Sequence, residues 1–267
     1  REKLIDLQVL FDTLENIGVF GKPEDHNINV EYVNPSFLVK KPSGGWRLVT
    51  SFGEVAKHCK PTPSLMPDTD SILRQIGQWK YIIKTDLAKA YFQIPLQKSS
   101  QRFCGVVTPF KGIRIYLRSA MGMPGSESVL EELMSRILGE LIMQGKAIKI
   151  ADDLYCGSDS LVDLFETWSR VLGLLSDNDL RLSAPKTIVL PESTIVLGWV
   201  WNQGTLSAST HQVSPLIKAE VPKTVKGLRS FIGAFKALSK VIEGASKVIA
   251  PLESITAGRP SLSLIHI

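Results

Sequence analysis

Asp152 and Asp153 stand side by side in the stretch Ile148-Lys149-Ile150-Ala151-Asp152-Asp153-Leu154-Tyr155-Cys156-Gly157. The flanking residues read as a tight strand-turn-strand. Aspartate is common in turns because its short side chain bonds nearby backbone, so the pair alone says little. A third carboxylate, Asp86, ends the separate apolar run Tyr81-Ile82-Ile83-Lys84-Thr85-Asp86. If the two segments are neighbouring strands, their acidic ends meet at one sheet edge and make a metal site. Magnesium suits such a site, because it takes one or two protein carboxylates and completes its octahedron with water and phosphate oxygens. Two such ions about 4 Å apart would activate an attacking hydroxyl and stabilise the leaving oxygen of a phosphoryl displacement. Successive strand side chains face opposite ways. The two adjacent carboxylates should therefore differ, one facing Asp86 and the other not.

The elements that must position these groups are legible from periodicity. Leu4, Leu7, Phe11 and Leu14 follow helical spacing, with Gly18 as the stop. Lys40-Lys41-Pro42-Ser43-Gly44-Gly45-Trp46-Arg47 reads as a basic hairpin after an extended segment, a tip able to close over a phosphate. Residues 57–70 are proline-rich and irregular, followed by a short helix through Ile76 capped by Asp70 or Ser71. A second hairpin spans Phe103 to Leu117. A long helix follows Gly122-Met123-Pro124-Gly125-Ser126, capped by Ser126 or Ser128 and stopped by Gly145. Its apolar stripe, Val129, Leu133, Ile137 and Leu141 beside Leu130, Met134, Leu138 and Ile142, is expected to be core. Ser160 with Asp163 resembles a capping box opening another helix. Short strands follow, Thr187–Leu190 and Ile195–Trp201, turning at Asn202-Gln203-Gly204, and 224–252 is helical again. Antiparallel strands with helices on one face make an α+β layer.

Composition sets outer bounds. The 267 residues are 44% hydrophobic and 21% charged, values of a globular chain with material for a sizeable core. No apolar run reaches the roughly 18 residues of a membrane span, and no membrane partner is expected. A net charge of +5 permits an anionic partner without identifying one. Cys59, Cys104 and Cys156 show neither disulfide nor zinc spacing and fit a reducing compartment. The chain begins with Arg1 and reads as a fragment of something longer.

In combination and order, these motifs resemble the reverse transcriptase of an LTR retrotransposon or retrovirus, most closely the Gypsy-type retroelement polyproteins. The similarity runs from about Leu14 to about Leu252. Asp86-Leu-Ala-Lys-Ala-Tyr91 resembles the first catalytic motif, which implies that Asp86 binds metal and that Tyr91 is the steric gate against a 2′-hydroxyl. Met121-Gly122-Met123-Pro124-Gly125-Ser126 resembles the second, where backbone approaches the nucleotide. Ile150-Ala151-Asp152-Asp153 is similar to the aromatic-x-Asp-Asp signature, with Ile150 in place of the aromatic residue. The resemblance favours Asp152 as direct ligand and Asp153 as its assistant. It places Lys41 and Arg47 on a fingertip hairpin that grips the triphosphate, and Lys186 nearest the leaving pyrophosphate. Leu197-Gly198-Trp199 looks like the primer grip. Ser51, Gly53 and Glu127 depart from the family pattern, which more often has Asp, Arg and Pro there.

The resemblance implies a right-hand polymerase architecture: an antiparallel palm sheet backed by helices, fingers, and a partial thumb and connection. The expected division is 1–83 (N-terminal segment and fingers), 84–96 (palm), 97–125 (fingers insert), 126–206 (palm and primer grip) and 207–258 (thumb or connection). A tail, 259–267, falls outside the fold. It implies primer extension on an RNA or DNA template from deoxynucleoside triphosphates, with two magnesium ions or manganese in their place. Its setting would be intracellular, in the cytoplasm or a virus-like particle. No RNase H, integrase or protease signature follows Gly258, so those activities are expected to lie outside this chain. The alternatives are a truncated or decayed retroelement fragment that binds nucleic acid without catalysis, and another two-metal nucleotidyltransferase palm. The latter leaves the basic fingertip unexplained.

Overall fold

The computed structural model describes residues 2–42, 44–60, 68–150, 152–239 and 242–257. The prolines at 61–67, Ser43 of the fingertip turn, Ala151 and the tail at 258–267 lie outside the described residues. In chain order the elements begin with α1 (Glu2–Asn16), β1 (Phe20–Gly21), β2 (Val33–Asn34), β3 (Ser36–Lys40), β4 (Trp46–Thr50), α2 (Gly53–Ala56) and α3 (Thr69–Ile76). Next are β5 (Tyr81–Asp86), α4 (Lys98–Gln101), β6 (Gly105–Thr108), β7 (Gly112–Tyr116), α5 (Ser126–Met143), β8 (Ala147–Ile150), β9 (Asp153–Ser158) and α6 (Leu161–Asp177). The chain finishes with β10 (Ile188–Val189), β11 (Ser193–Val196), β12 (Trp199–Asn202), β13 (Thr205–Ala208), α7 (Thr210–Ile217), α8 (Val225–Leu238) and α9 (Ala245–Ala257). Two compact units divide it: Arg1–Asp68 with Ile82–Val189, and Thr69–Tyr81 with Leu190–Ile267.

The first unit holds two four-stranded sheets and the fingertip hairpin. One sheet has the order β1-β7-β6-β2, and β2 runs parallel to β6. Its core gathers Phe11, Phe20, Phe52 and Tyr116, tilted rings with centroids 4.4 Å apart for Phe20 and Tyr116. The Tyr116 hydroxyl meets Thr50 Oγ1 at 2.8 Å, tying the end of β4 to this core. The second sheet has the order β10-β5-β9-β8, so the two acidic strands are indeed neighbours. Helices α5 and α6 pack on β8 and β9 and on each other. Within α5 the buried apolar line is Leu130, Met134, Leu138 and Leu141, whereas Val129 is 48% exposed. The expected stripe was thus one position too wide, because α5 presents a single narrow face to the sheet. Its N-cap is not serine but Gly125, in the left-handed region at φ 78° with no side-chain cap. Ser126 turns away because its hydroxyl bonds Ser119 Oγ at 2.5 Å. The box at Ser160 is one-sided: Ser160 accepts from the Asp163 amide, while the Asp163 carboxylate bonds Lys146 and Ser158.

The second unit is a three-stranded meander, β11-β12-β13, with α3 and three later helices. Trp201 is 1% exposed, and its indole N–H donates to the carbonyls of Ile76 and Trp79 at the end of α3. The segment Ile195–Trp201, expected as one strand, is two. β11 pairs with β12 from Val196↔Trp199 outward, around a two-residue turn at Leu197 (φ 49°) and Gly198 (φ 82°). Positive φ at both central residues matches the twist of the flanking strands, but leucine seldom adopts it, so nothing in the sequence marks the turn as such. α7 falls inside 207–258, the segment expected as thumb or connection. It carries Pro215 within it, and Ser209 and Gln212 form a full capping box at its start.

Candidate active site

The acidic edge is built by β5 and the β8-β9 hairpin. Ile82 and Ile83 are fully buried and fix β5, leaving Asp86 at its end only 8% exposed. The chain beyond is held by backbone pairing to 181–183: the Asp86 carbonyl accepts from Ser183 N at 2.7 Å and Ala88 N donates to the Arg181 carbonyl at 2.9 Å. Gln93 locks both segments. Its amide donates to the carbonyls of Ala88 (2.6 Å) and Arg181 (2.9 Å) and accepts from Arg181 N (2.7 Å). The short 3-10 helix Ala184–Lys186 then delivers the Lys186 ammonium onto the Asp86 carboxylate.

Asp152 lies in the turn between β8 and β9, and its carbonyl accepts from Leu87 N at 3.4 Å. Burial, then the nearby Asp86 charge, hold its carboxyl above the usual carboxylate range; Lys149 and Lys186 oppose the shift. Its Oδ1 is buried without a hydrogen-bond partner among the described residues. Asp153 opens β9 opposite Ile150, and its carboxylate accepts from the Tyr155 hydroxyl at 3.0 Å with Lys84 Nζ at 3.6 Å. The two aspartates therefore differ, but because one sits in the turn and the other on the strand rather than by alternation within one strand.

A divalent cation fits Asp86 and Asp152. Two repelling carboxylates and an orphaned, shielded oxygen form a donor set that a hard cation satisfies, and magnesium asks for no more than one or two protein carboxylates. Among the described residues no three acidic, His or Cys side chains close into a metal cage; the acidic set is a pair with an outlying third.

Tyr91 is half-buried in the 3-10 turn Ala90–Gln93 after Asp86. With Met121, Gly122, Gly125, Ser126 and Glu127 it lines a cleft of about 370 Å³. Burial, then the charges of Asp152, Glu127 and Glu131, push its hydroxyl pKa up, so the cleft wall feels the Asp152 carboxylate. Gly122 has no atom within 4 Å of where a Cβ would stand; its φ of 79° is what calls for glycine there.

Lys41 and Arg47 are exposed on the fingertip hairpin, whose turn is closed by Lys41 N to the Gly45 carbonyl at 3.0 Å. Leu197, Gly198 and Trp199 belong to the second unit. Gln93 and a buried Lys149–Glu131 pair were not singled out from sequence. Gln93 had a signal, its place two residues beyond the first motif; the ion pair had none.

Residues 39–201 match the family described as Reverse transcriptase (RNA-dependent DNA polymerase), a span that contains every candidate site residue. The chain belongs to this family. Among curated relatives, the retrovirus-related Pol polyprotein from transposon opus of Drosophila melanogaster is 26% identical over 236 residues, 86% of this chain and 23% of the relative. The Pol polyprotein from transposon gypsy of the same organism is 25% identical over 237 residues, 85% of this chain and 22% of the relative. This reverse transcriptase spans under a quarter of the length of each of these two relatives. Its fold is that of the foamy viral protease-reverse transcriptase. A structure of that protein with double-stranded DNA matches 97% of this chain and 44% of its own at TM-score 0.79 and 21% identity. Another, with an RNA/DNA hybrid, matches 95% and 33% at TM-score 0.70 and 21% identity.

Proposed function

We propose that this reverse transcriptase domain extends a primer 3′-hydroxyl along an RNA or DNA template, consuming deoxynucleoside triphosphates. The observation that carries the reading is the Asp86–Asp152 pair, with its orphaned Asp152 oxygen, beside the Tyr91 cleft. In the reaction the 3′-oxygen attacks the α-phosphorus, the bond to the β-phosphate oxygen breaks, pyrophosphate leaves and the hydroxyl proton passes to solvent. Two magnesium ions, or manganese in their place, would acidify the hydroxyl and neutralise charge on the phosphates when bound.

The chain's own residues do the rest. Asp86 and Asp152 would hold the cation, and Asp153, kept by Tyr155 and Lys84, would support the turn or a second ion. Lys186, whose ammonium lies against the Asp86 carboxylate, would offer its charge to the departing pyrophosphate. Lys41 and Arg47, exposed on the fingertip hairpin, have the charge to take the β- and γ-phosphates. Tyr91 would lie under the deoxyribose and exclude a 2′-hydroxyl, with Met121 and Gly122 beside the base and sugar. Leu197, Gly198 and Trp199 would hold the primer end. Primer extension on a homopolymer template, with magnesium and with chelator, tests this. Magnesium-dependent elongation is expected; binding of template-primer without elongation would instead select the decayed, binding-only reading.

A further inference from the structure

Lys149 and Glu131 form an ion pair with side chains only 3% and 8% exposed. Burying two charges costs several kcal/mol per ion, and well-packed apolar residues in their place are often as stable or more so. Stability therefore does not account for the pair. Its placement does. Lys149 is on β8, three residues before Asp152, and its cross-strand partner on the helix-facing side is the buried Leu154. Glu131 is on α5, whose first turn supplies Ser126 and Glu127 to the Tyr91 cleft. Asp152 feels the Lys149 charge and Tyr91 feels that of Glu131. One directed bond thus joins the helix lining the nucleotide cleft to the strand feeding the metal-binding turn.

We infer that Lys149 and Glu131 are positioning residues, setting the Asp152 turn against the nucleotide cleft through α5. The inference rests on the polymerase reading for its kinetic consequence, though not for its structural one. An apolar bridge can fill the same volume but has no directionality, so the hairpin can slide along the helix. A misplacement of about 1 Å at a reacting centre costs on the order of 10²-fold in rate.

The test replaces the pair by E131L/K149M in the full chain. The variant is expected to unfold at or above the wild-type temperature. Amide exchange at 152–155 should quicken about tenfold, and kcat should fall on the order of 10²-fold while the template-primer Kd is unchanged. A folded variant with wild-type exchange and wild-type kcat overturns the inference. If wild type itself does not elongate, the polymerase reading fails, and the exchange measurement still decides this one. Should the apolar pair not fold, Lys149→Gln, which keeps a hydrogen-bond donor on the side chain, is compared with Lys149→Met at equal folded fraction. At least a tenfold deficit of the Met variant is expected, and equal rates refute the link.

Discussion

Asp152→Asn should stabilise the metal-free protein while destroying its activity. Asp152 Oδ1 is buried with no partner among the described residues, and the Asp86 charge adds to the cost of ionising the same carboxyl. A buried polar atom left unsatisfied costs about 1–3 kcal/mol. Asparagine keeps the shape, removes the charge and offers an amide that can donate to Asp86. The expected gain of about 1–3 kcal/mol corresponds to a rise of roughly 2–4 °C in Tm per kcal/mol for a domain of this size. The pH dependence has a definite sign. An acid whose folded pKa lies above its unfolded value opposes folding most where it is ionised in both states, and stability returns as pH falls through the folded pKa. The gap between variant and wild type should therefore be widest near neutrality and close as pH approaches the usual carboxylate value of 3.8. Magnesium should reverse the order, because a ligand that binds only the folded wild type stabilises it by mass action. Calorimetry in chelator and in millimolar magnesium reads both effects. An Asn variant that melts below wild type in chelator, at neutral pH, refutes the reasoning.

Other perturbations separate structure from chemistry. Lys186→Ala should change stability by less than about 1 kcal/mol, since its side chain is 67% exposed and such pairs are weak. It should also tighten magnesium binding, seen by titration, because the ammonium no longer competes for Asp86. Tyr91→Ala should relax the sugar discrimination on the order of 10²-fold, the scale of a steric change in a pocket, read as the ratio of kcat/KM for dNTP over rNTP; an unchanged ratio rejects the gate role. Gly198→Ala should cost about 1–2 kcal/mol, because the residue is at φ 82° and its Cβ would stand 3.1 Å from the Gln212 amide; chemical denaturation monitored by tryptophan fluorescence measures it.

What the sequence made legible follows from how local each signal is. The strand to Asp86, the Asp152–Asp153 hairpin and the basic fingertip were readable because alternation, glycines and charge act over a few residues. The neighbouring of β5 and β9 was an inference from shared chemistry, not from either segment alone. The Leu197-Gly198 turn was hidden because leucine carries no sign that its backbone is left-handed. The Gly125 cap was hidden because Ser126 is drawn to Ser119, seven residues earlier, by a contact only the fold creates. Lys149 and Glu131 carry no mark in the sequence; only their packing shows them buried against each other.

The central claim is that Asp86 and Asp152 hold the metal on which nucleotide addition depends. Single-turnover primer extension by wild type and by Asp86→Ala, at equal folded fraction, tests it most directly. Losing a cation worth several kcal/mol of transition-state stabilisation should slow the variant by about 10³-fold or more, with circular dichroism and template-primer binding retained. A folded Asp86→Ala protein elongating at the wild-type rate would contradict the claim outright.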